Sequence, residues 1–276
     1  MSTMHCAVIG YPVAHSKSPR IHSAFALQLG LDLAYGAIEI TPGTFAEQVQ
    51  KRFQEGYTGL NVTVPYKEEA YVLADELSPR ARLAAAVNTL HHTPDGIVGH
   101  NTDGIGLVHD LTERQSVELH GKRILVLGAG GAVRGVLGPL LEKQPRELVV
   151  TNRTVLKAEQ LRDIFAPFGP IHAASMDDLS GTFDVVINGT SASLQGALPN
   201  MPATVLRPDT VTYDMMYGAN DTAFNAWAQS QGVTRTLDGL GMLVSQAAAA
   251  FTIWTGLTPD AEPVMTALRR ELTAVT

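Results

Sequence analysis

Arg123-Ile124-Leu125-Val126-Leu127-Gly128-Ala129-Gly130-Gly131-Ala132 is the stretch that decides the fold. Arg123–Leu127 is mostly apolar and reads as a strand that runs into a glycine cluster. A helix follows to about Glu142. Glycines at 128 and 130 permit a tight turn and a close backbone approach to a pyrophosphate. The helix start beyond them offers free N–H groups and the positive end of a dipole. Gly128, Ala129, Gly130, Gly131 and Ala132 are therefore candidate cofactor residues. The third slot of the G-x-G-x-x-G pattern falls on Val133 instead of glycine. A glycine-rich turn that binds nothing is the alternative reading.

The next strand decides the type of dinucleotide. Folds that bind NAD usually place Asp or Glu at its end, on the ribose 2′-OH. Here Glu147–Thr151 leads into Asn152-Arg153-Thr154, with Lys157 one turn further on, and no carboxylate stands at that place. A guanidinium and an ammonium suit a 2′-phosphate, through forked hydrogen bonds and charge. NADP is favoured over NAD, although Arg153 also fits a solvated cation at a helix start.

Outward from this unit, helices are expected near 104–111 and 154–165, and strands at 183–188 and 211–215. Strand and helix alternate, which predicts a parallel, doubly wound Rossmann-type sheet over 104–238. The first hundred residues alternate in the same way. Cys6–Gly10 reads as a strand. Ser18-Pro19 opens a helix with Ser18 as N-cap, Ile21, Phe25 and Leu29 on one face, and Gly30 as its stop. Strands follow at 34–40 and 60–64, with a helix between them that starts in a Thr44/Glu47 capping box. Helices near 67–75 and 79–86 precede a hairpin, 87–91 with 97–100, turned by Thr93-Pro94-Asp95-Gly96. Two helices, near 239–255 and 259–274, close the chain. The expected architecture is two α/β lobes with a cleft between them, the second an NADP-binding domain over 104–238.

Bulk properties set limits on partners. The chain has 276 residues, enough for two domains, and a net charge of −7 with no long basic run, so nucleic acid is not an expected partner. A single cysteine, Cys6, rules out a disulfide within the chain, fits a reducing cytoplasm, and reads as a small buried hydrophobe. The first residues lack a signal-peptide pattern. The apolar stretch 240–257 is broken by Ser245, Gln246 and Thr252 and is too short and polar for a membrane span. No metal site is expected.

Four polar clusters stand at the ends of apolar elements. Ser16-Lys17-Ser18 brings two hydroxyls to a helix start, where they can hold a carboxylate, although Ser18 also fits a plain cap. In Asn61-Val62-Thr63-Val64-Pro65-Tyr66-Lys67, Asn61 and Thr63 share one side of a strand, and Lys67 stands just past its carboxyl end. An exposed helix-start lysine is the plainer reading of Lys67. Asn88, in Ala86-Val87-Asn88-Thr89, is a buried donor–acceptor pair that needs partners, either in the core or on a ligand. Asn101-Thr102-Asp103-Gly104 sets Asp103 before a helix, as a cap or as a functional carboxylate. Together the clusters supply a lysine, a carboxylate, an amide and several hydroxyls, which suits a small polyhydroxylated acid.

These four clusters, with Gly128–Ala132, Asn152-Arg153-Thr154 and Asp238-Gly239-Leu240-Gly241-Met242-Leu243, resemble the shikimate dehydrogenase family in order and across essentially the whole chain. The resemblance implies an NADP-dependent oxidoreductase acting on a CH–OH group, which reduces 3-dehydroshikimate to shikimate on the way to chorismate and the aromatic amino acids. It implies that Ser16 and Ser18, with Tyr217, bind the substrate carboxylate, and that Thr63, Lys67, Asn88, Asp103 and Gln246 bind the ring hydroxyls. It implies that 239–276 pairs with 1–103 as a substrate domain. Lys67 and Asp103 resemble the family's catalytic pair. Ala129–Ala132 would hold the pyrophosphate, Asn152, Arg153, Thr154 and Lys157 the 2′-phosphate, and Thr190, Met215 and Gly239 the nicotinamide side. One departure is visible: the family's Asn-Ala-Thr-Ser-x-Gly loop reads Asn188-Gly189-Thr190-Ser191-Ala192-Ser193 here.

The mechanism implied has Lys67 stabilising or protonating the developing alkoxide while Asp103 positions Lys67. The chain is expected to act as a monomer or homodimer. A quinate/shikimate dehydrogenase is the nearest rival. A non-catalytic sensor of the same fold is disfavoured by the presence of both Lys67 and Asp103, and a methylene-tetrahydrofolate type dehydrogenase by the Ser-Lys-Ser and Asn-Thr-Asp-Gly motifs.

Overall fold

A computed structural model describes residues 3–190 and 201–274. The chain divides into two compact units. The first is the chain up to Gly106 together with Val244–Thr266, and the second is Leu107–Leu243 together with the chain from Ala267 onward.

In the first unit, β1 (Met4–Gly10), α1 (Ser18–Leu29), β2 (Leu33–Glu39), α2 (Phe45–Gln54), β3 (Tyr57–Val62), α3 (Lys67–Leu73), β4 (Glu76–Leu77), α4 (Pro79–Ala84), β5 (Thr89–Thr93) and β6 (Gly96–His100) follow in order. The six-stranded sheet runs β2-β1-β3-β5-β6-β4. β1 pairs in parallel with β2 and β3, whereas β5 is antiparallel to both β3 and β6. Ile9, Phe45, Val49, Phe53, Leu60 and Tyr66 pack one face of this unit. Phe25, on α1, is fully buried, a gain of about 2–3 kcal/mol for a side chain of that size. Trp254, on α9 (Leu240–Thr255), donates to Leu90 O at 3.1 Å and lies against the sheet at Gly59. A β-carbon there would stand 2.1 Å from the indole, so only glycine fits at position 59.

Two expected helix starts differ from the reading above. Lys17 is the N-cap of α1, and Ser18 is its first residue. The capping oxygen comes from Ser16, whose Oγ accepts from the Ser18 N–H at 3.3 Å. Thr44 is the N-cap of α2 but makes no side-chain cap, because its hydroxyl turns back to donate to Thr41 O at 2.8 Å. The capping box with Glu47 therefore does not form. Gly30 ends α1 in a left-handed conformation (φ 65°), and its N–H turns back toward the Ala26 and Leu27 carbonyls.

The second unit holds β7 (Arg123–Leu127), α6 (Gly131–Glu142), β8 (Glu147–Thr151), α7 (Val155–Phe165), β9 (Ile171–Ala174), β10 (Val185–Asn188), β11 (Val211–Asp214), α8 (Ala223–Ser230) and β12 (Arg235–Asp238). Helix α5 (Asp103–His109), whose π-helical continuation is Asp110–Arg114, precedes them, and α10 (Ala261–Ala274) closes the described chain. The sheet runs β12-β11-β10-β7-β8-β9 and every pair is parallel. Ile124–Leu127 and Leu148–Thr151 are buried throughout, as strands covered on both faces must be. The chain winds outward from β7 through β8 to β9, then returns to the other side of β7 as β10. That reversal is a topological switch point, where the carboxyl ends of two strands diverge and a ligand can enter. At the opposite end, Arg123 bonds Glu147 at 2.6 Å, donates its backbone N–H to Asp184, and covers the Phe183 ring at 4.5 Å.

Candidate active site

In the first unit, Lys67 is the first residue of α3, just beyond the turn that ends β3. Asp103 is the first residue of α5, and Asn101 Oδ1 accepts its N–H at 3.1 Å. The helix-start N–H is thus satisfied by Asn101, and the Asp103 carboxylate is free for another partner. That partner is Lys67: Nζ lies 2.6 Å from Asp103 Oδ2. The other carboxylate oxygen accepts from Asn88 Nδ2 at 2.9 Å. Asp103 is 9% exposed as a side chain and Lys67 24%, so the carboxylate is anchored and the amine is reachable. An ammonium has three donors, and Asp103 is its one hydrogen-bond partner among the described residues.

Gln246, on α9, joins the same constellation, with Oε1 3.3 Å from Asn88 Nδ2 and 3.4 Å from Thr102 Oγ1. Thr63 is half-buried past the end of β3, and its methyl lies against Gly10, where a β-carbon would come within 2.4 Å. Asn61 does not share this position. It is buried, and its amide meets Tyr35 and Thr89. Ser16 is half-buried and Ser18 buried, one turn before the buried ring of His22.

In the second unit, Gly128 takes a positive φ of 108°, and a β-carbon on it would meet the Gly189 backbone and the Thr190 methyl at 3.3 Å. Gly130 is the N-cap of α6, and neither it nor Gly131 has an atom within 4 Å of a would-be β-carbon. Bare backbone N–H groups at the start of a twelve-residue helix, with open space before them, fit a pyrophosphate. Ala129 is half-buried and Ala132 exposed on the same turn. Val133, in the place of a third glycine, is fully buried, and its γ-methyl would lie 2.4 Å from a β-carbon on Gly189.

At the end of β8, Asn152 Nδ2 donates to Thr154 O at 3.0 Å, which closes the turn into α7. Arg153, Thr154 and Lys157 are exposed. The Lys157 backbone N–H donates to Thr154 O at 3.0 Å, but the side chains of Arg153 and Lys157 make no hydrogen bond or ion pair among the described residues, so two cations stand ready for an anion. With no carboxylate beside them, the donor set fits the 2′-phosphate of NADP.

Past β10, Thr190 donates its hydroxyl to Asn188 Oδ1 at 2.7 Å, and Asn188 donates to Asp214 at 3.1 Å. The rest of the departing loop, Ser191-Ala192-Ser193, lies outside the described residues. Met215 and Gly239 meet directly: a β-carbon on Gly239 would stand 2.2 Å from Met215 O. Tyr217 stands in this unit with the cofactor candidates. Its hydroxyl is pushed above the usual phenol range by burial and by the nearby Asp238 carboxylate. Arg269, on α10, pairs with Asp238 and donates to Gly218 O at 3.0 Å. Behind Gly241 the Tyr213 hydroxyl donates to the buried Asp110 at 2.6 Å. Arg269, Tyr213 and Asp110, like Tyr35 in the first unit, carry no motif of their own.

With the geometry in place, the chain can be compared with known proteins. Residues 8–90 match the shikimate dehydrogenase substrate binding domain, 110–208 the shikimate / quinate 5-dehydrogenase domain, and 239–269 the shikimate 5'-dehydrogenase C-terminal domain. The chain is 54% identical over 264 residues to a shikimate dehydrogenase (NADP(+)) of Hahella chejuensis, covering 96% of this chain and 98% of that one. The chain belongs to the shikimate dehydrogenase family. An Ael1 enzyme of Pseudomonas putida superposes with a TM-score of 0.92 at 45% identity, over 96% of this chain and 98% of that one. The shikimate 5-dehydrogenase of Thermus thermophilus, in complex with NADP(H) and shikimate, superposes with a TM-score of 0.87 at 32% identity, over 98% of this chain and all of that one (100%).

Proposed function

We propose that this chain catalyses the reversible NADPH-dependent reduction of 3-dehydroshikimate to shikimate, a step toward chorismate and the aromatic amino acids. The observation that carries the reading is the buried Asp103 carboxylate, held by Asn88 on one oxygen and by the reachable Lys67 amine on the other.

Bound NADPH supplies the hydride. The chain must hold the substrate, exclude water and manage the charge that develops on the ketone oxygen. Lys67, with two donors left over from Asp103, stabilises or protonates that oxygen. Asp103 keeps the amine in place and accepts from a ring hydroxyl. Asn88, Thr63 and Gln246 bind the remaining hydroxyls, and Ser16 and Ser18, with Tyr217, take the carboxylate. Gly128, Ala129, Gly130, Gly131 and Ala132 hold the pyrophosphate. Asn152, Arg153, Thr154 and Lys157 read the 2′-phosphate. Thr190, Met215 and Gly239 line the nicotinamide side. On this reading substrate binding falls to 1–103 with 239–276, and cofactor binding to 104–238.

No helix among the described residues is long and apolar enough to cross a membrane. The buried free thiol of Cys6 supports a reducing cytoplasm. The working form is a monomer or homodimer, which sedimentation separates.

The test mixes protein, shikimate and NADP and follows absorbance at the reduced-nicotinamide band, with quinate and NAD as parallel arms. Rapid reduction with shikimate and NADP is expected. No reduction in any arm would reject the reading, and faster turnover of quinate would move it to the quinate/shikimate rival.

A further inference from the structure

Asn88 donates to Asp103, and it is itself held from behind. Its Oδ1 accepts from the Thr102 backbone N–H at 2.9 Å and from the Thr89 hydroxyl at 2.9 Å. The Thr89 oxygen accepts from Asn61 Nδ2 at 3.1 Å, and Asn61 Oδ1 accepts from the Tyr35 hydroxyl at 2.7 Å. A continuous chain of hydrogen bonds thus runs Tyr35–Asn61–Thr89–Asn88–Asp103–Lys67. Asn61, Thr89, Asn88 and Asp103 are buried.

The polarity of this chain is determined at each link. The other contact of Asn61 Nδ2 is the Asn88 backbone carbonyl at 3.4 Å, which can only accept. That fixes the amide with its NH₂ toward Thr89 and its oxygen toward Tyr35. Burial holds the Tyr35 hydroxyl well above the usual phenol range, so it stays protonated and donates. A threonine hydroxyl that accepts from Asn61 has its single proton left for Asn88 Oδ1. The Thr102 N–H and the Thr89 hydroxyl together hold Asn88 with its NH₂ toward the Asp103 carboxylate, the form that helps keep that carboxylate aimed at the amine.

We propose that Thr89 is a positioning residue for the Lys67–Asp103 pair, its hydroxyl oriented by Asn61 and Tyr35 and fixing the Asn88 amide that donates to Asp103. The proposal rests on the reading of Lys67 and Asp103 as the reacting pair. It separates Thr89 from a merely satisfied core threonine, which would contribute to stability and leave turnover per folded molecule alone.

The test compares Thr89→Val, which keeps the shape and deletes the hydroxyl, with Thr89→Ser, which keeps the hydroxyl. Tyr35→Phe serves as a second break at the far end of the chain. In ligand-free protein, hydrogen exchange of the Asn88 side-chain amide, read by NMR, is expected to quicken about tenfold in Thr89→Val and to stay near the parent in Thr89→Ser. For shikimate oxidation, kcat of Thr89→Val is expected to fall about tenfold, with the NADP KM unchanged and Thr89→Ser close to the parent. Unchanged Asn88 exchange in both Thr89→Val and Tyr35→Phe would overturn the proposal, as would quickened exchange with parental kcat. If Thr89→Val does not fold, Tyr35→Phe decides by the same two readouts. A parent protein that does not oxidise shikimate would reject the functional reading, and the exchange measurement would still judge the relay.

Discussion

A γ-methyl of Val133 lies 2.4 Å from the point where a β-carbon on Gly189 would stand. The two positions divide one volume at the switch point between β7 and β10. The valine in the third slot of the glycine-rich loop and the glycine that stands at 189 in the loop after β10 are one packing solution seen from two strands. Gly189→Ala is expected to cost about 1–3 kcal/mol of stability, since a β-branched neighbour has few rotamers to escape into. The double variant with Val133→Ala should recover part of that loss. Denaturant unfolding of the four members of the cycle measures it, and strictly additive effects would remove the shared volume as the cause.

Among the described residues the Lys67 amine has one hydrogen-bond partner, Asp103, which leaves two donors to offer. Lys67→Ala is expected to lower kcat by about 10²–10⁴-fold with a much smaller change in the shikimate KM, because the loss falls on charge that develops in the transition state. Steady-state kinetics with shikimate decide this, and near-parental turnover would take the amine out of the mechanism.

Arg153 is exposed and unpaired among the described residues. Arg153→Ala is expected to raise the NADP KM about tenfold, an effect discounted for the screening that an exposed cation experiences. The KM for NAD should barely move. Equal losses with both cofactors would reject the reading of the 2′-phosphate.

His22 gives the pH prediction. Its ring is fully buried, stacked on Tyr35 at 4.2 Å, and neither nitrogen has a partner at hydrogen-bond distance among the described residues. Burial, opposed by the neighbouring Asn61 amide, carries its pKa down from 6.5 to about 3. Below about pH 6.5 the unfolded chain takes up a proton that the folded chain refuses until about pH 3. Stability therefore falls as pH drops through that window, by up to about 1.4 kcal/mol per pH unit. His22→Phe keeps the stack and removes the proton site. Its unfolding free energy should fall less steeply than the parent's between pH 6 and 4, and parallel curves would refute the assignment.

Legibility followed the range of the forces involved. Arg123–Leu127, Glu147–Thr151 and the helix to Glu142 match the structure residue for residue, because buried parallel strands are continuous apolar runs and glycines mark their ends. Ile171–Ala174, Arg235–Asp238 and the helix Ala223–Ser230 went unread. The first two are edge strands, short and polar or alanine-rich, and pairing to β8 and β11 makes them strands. Ser18 and Thr44 were misread at helix starts because a cap depends on which nearby acceptor or donor wins, Ser16 in one case and Thr41 in the other. The polar motifs named Lys67, Asn88 and Asp103, and the fold brings these three together. Tyr35, Asn61 and Thr89 sit on three strands, β2, β3 and β5. Asn61 meets Thr89 only because antiparallel register pairs those two positions, so no local spacing could announce the chain they form.

Arg269 binds both Asp238 and the carbonyl of Gly218, and so ties the last described helix to the segments that carry Tyr217 and Gly239. A protease nick or frameshift ahead of it would leave every recognisable motif in the gene intact. The product would still pass for an enzyme by inspection, with the segments that carry Tyr217 and Gly239 no longer braced.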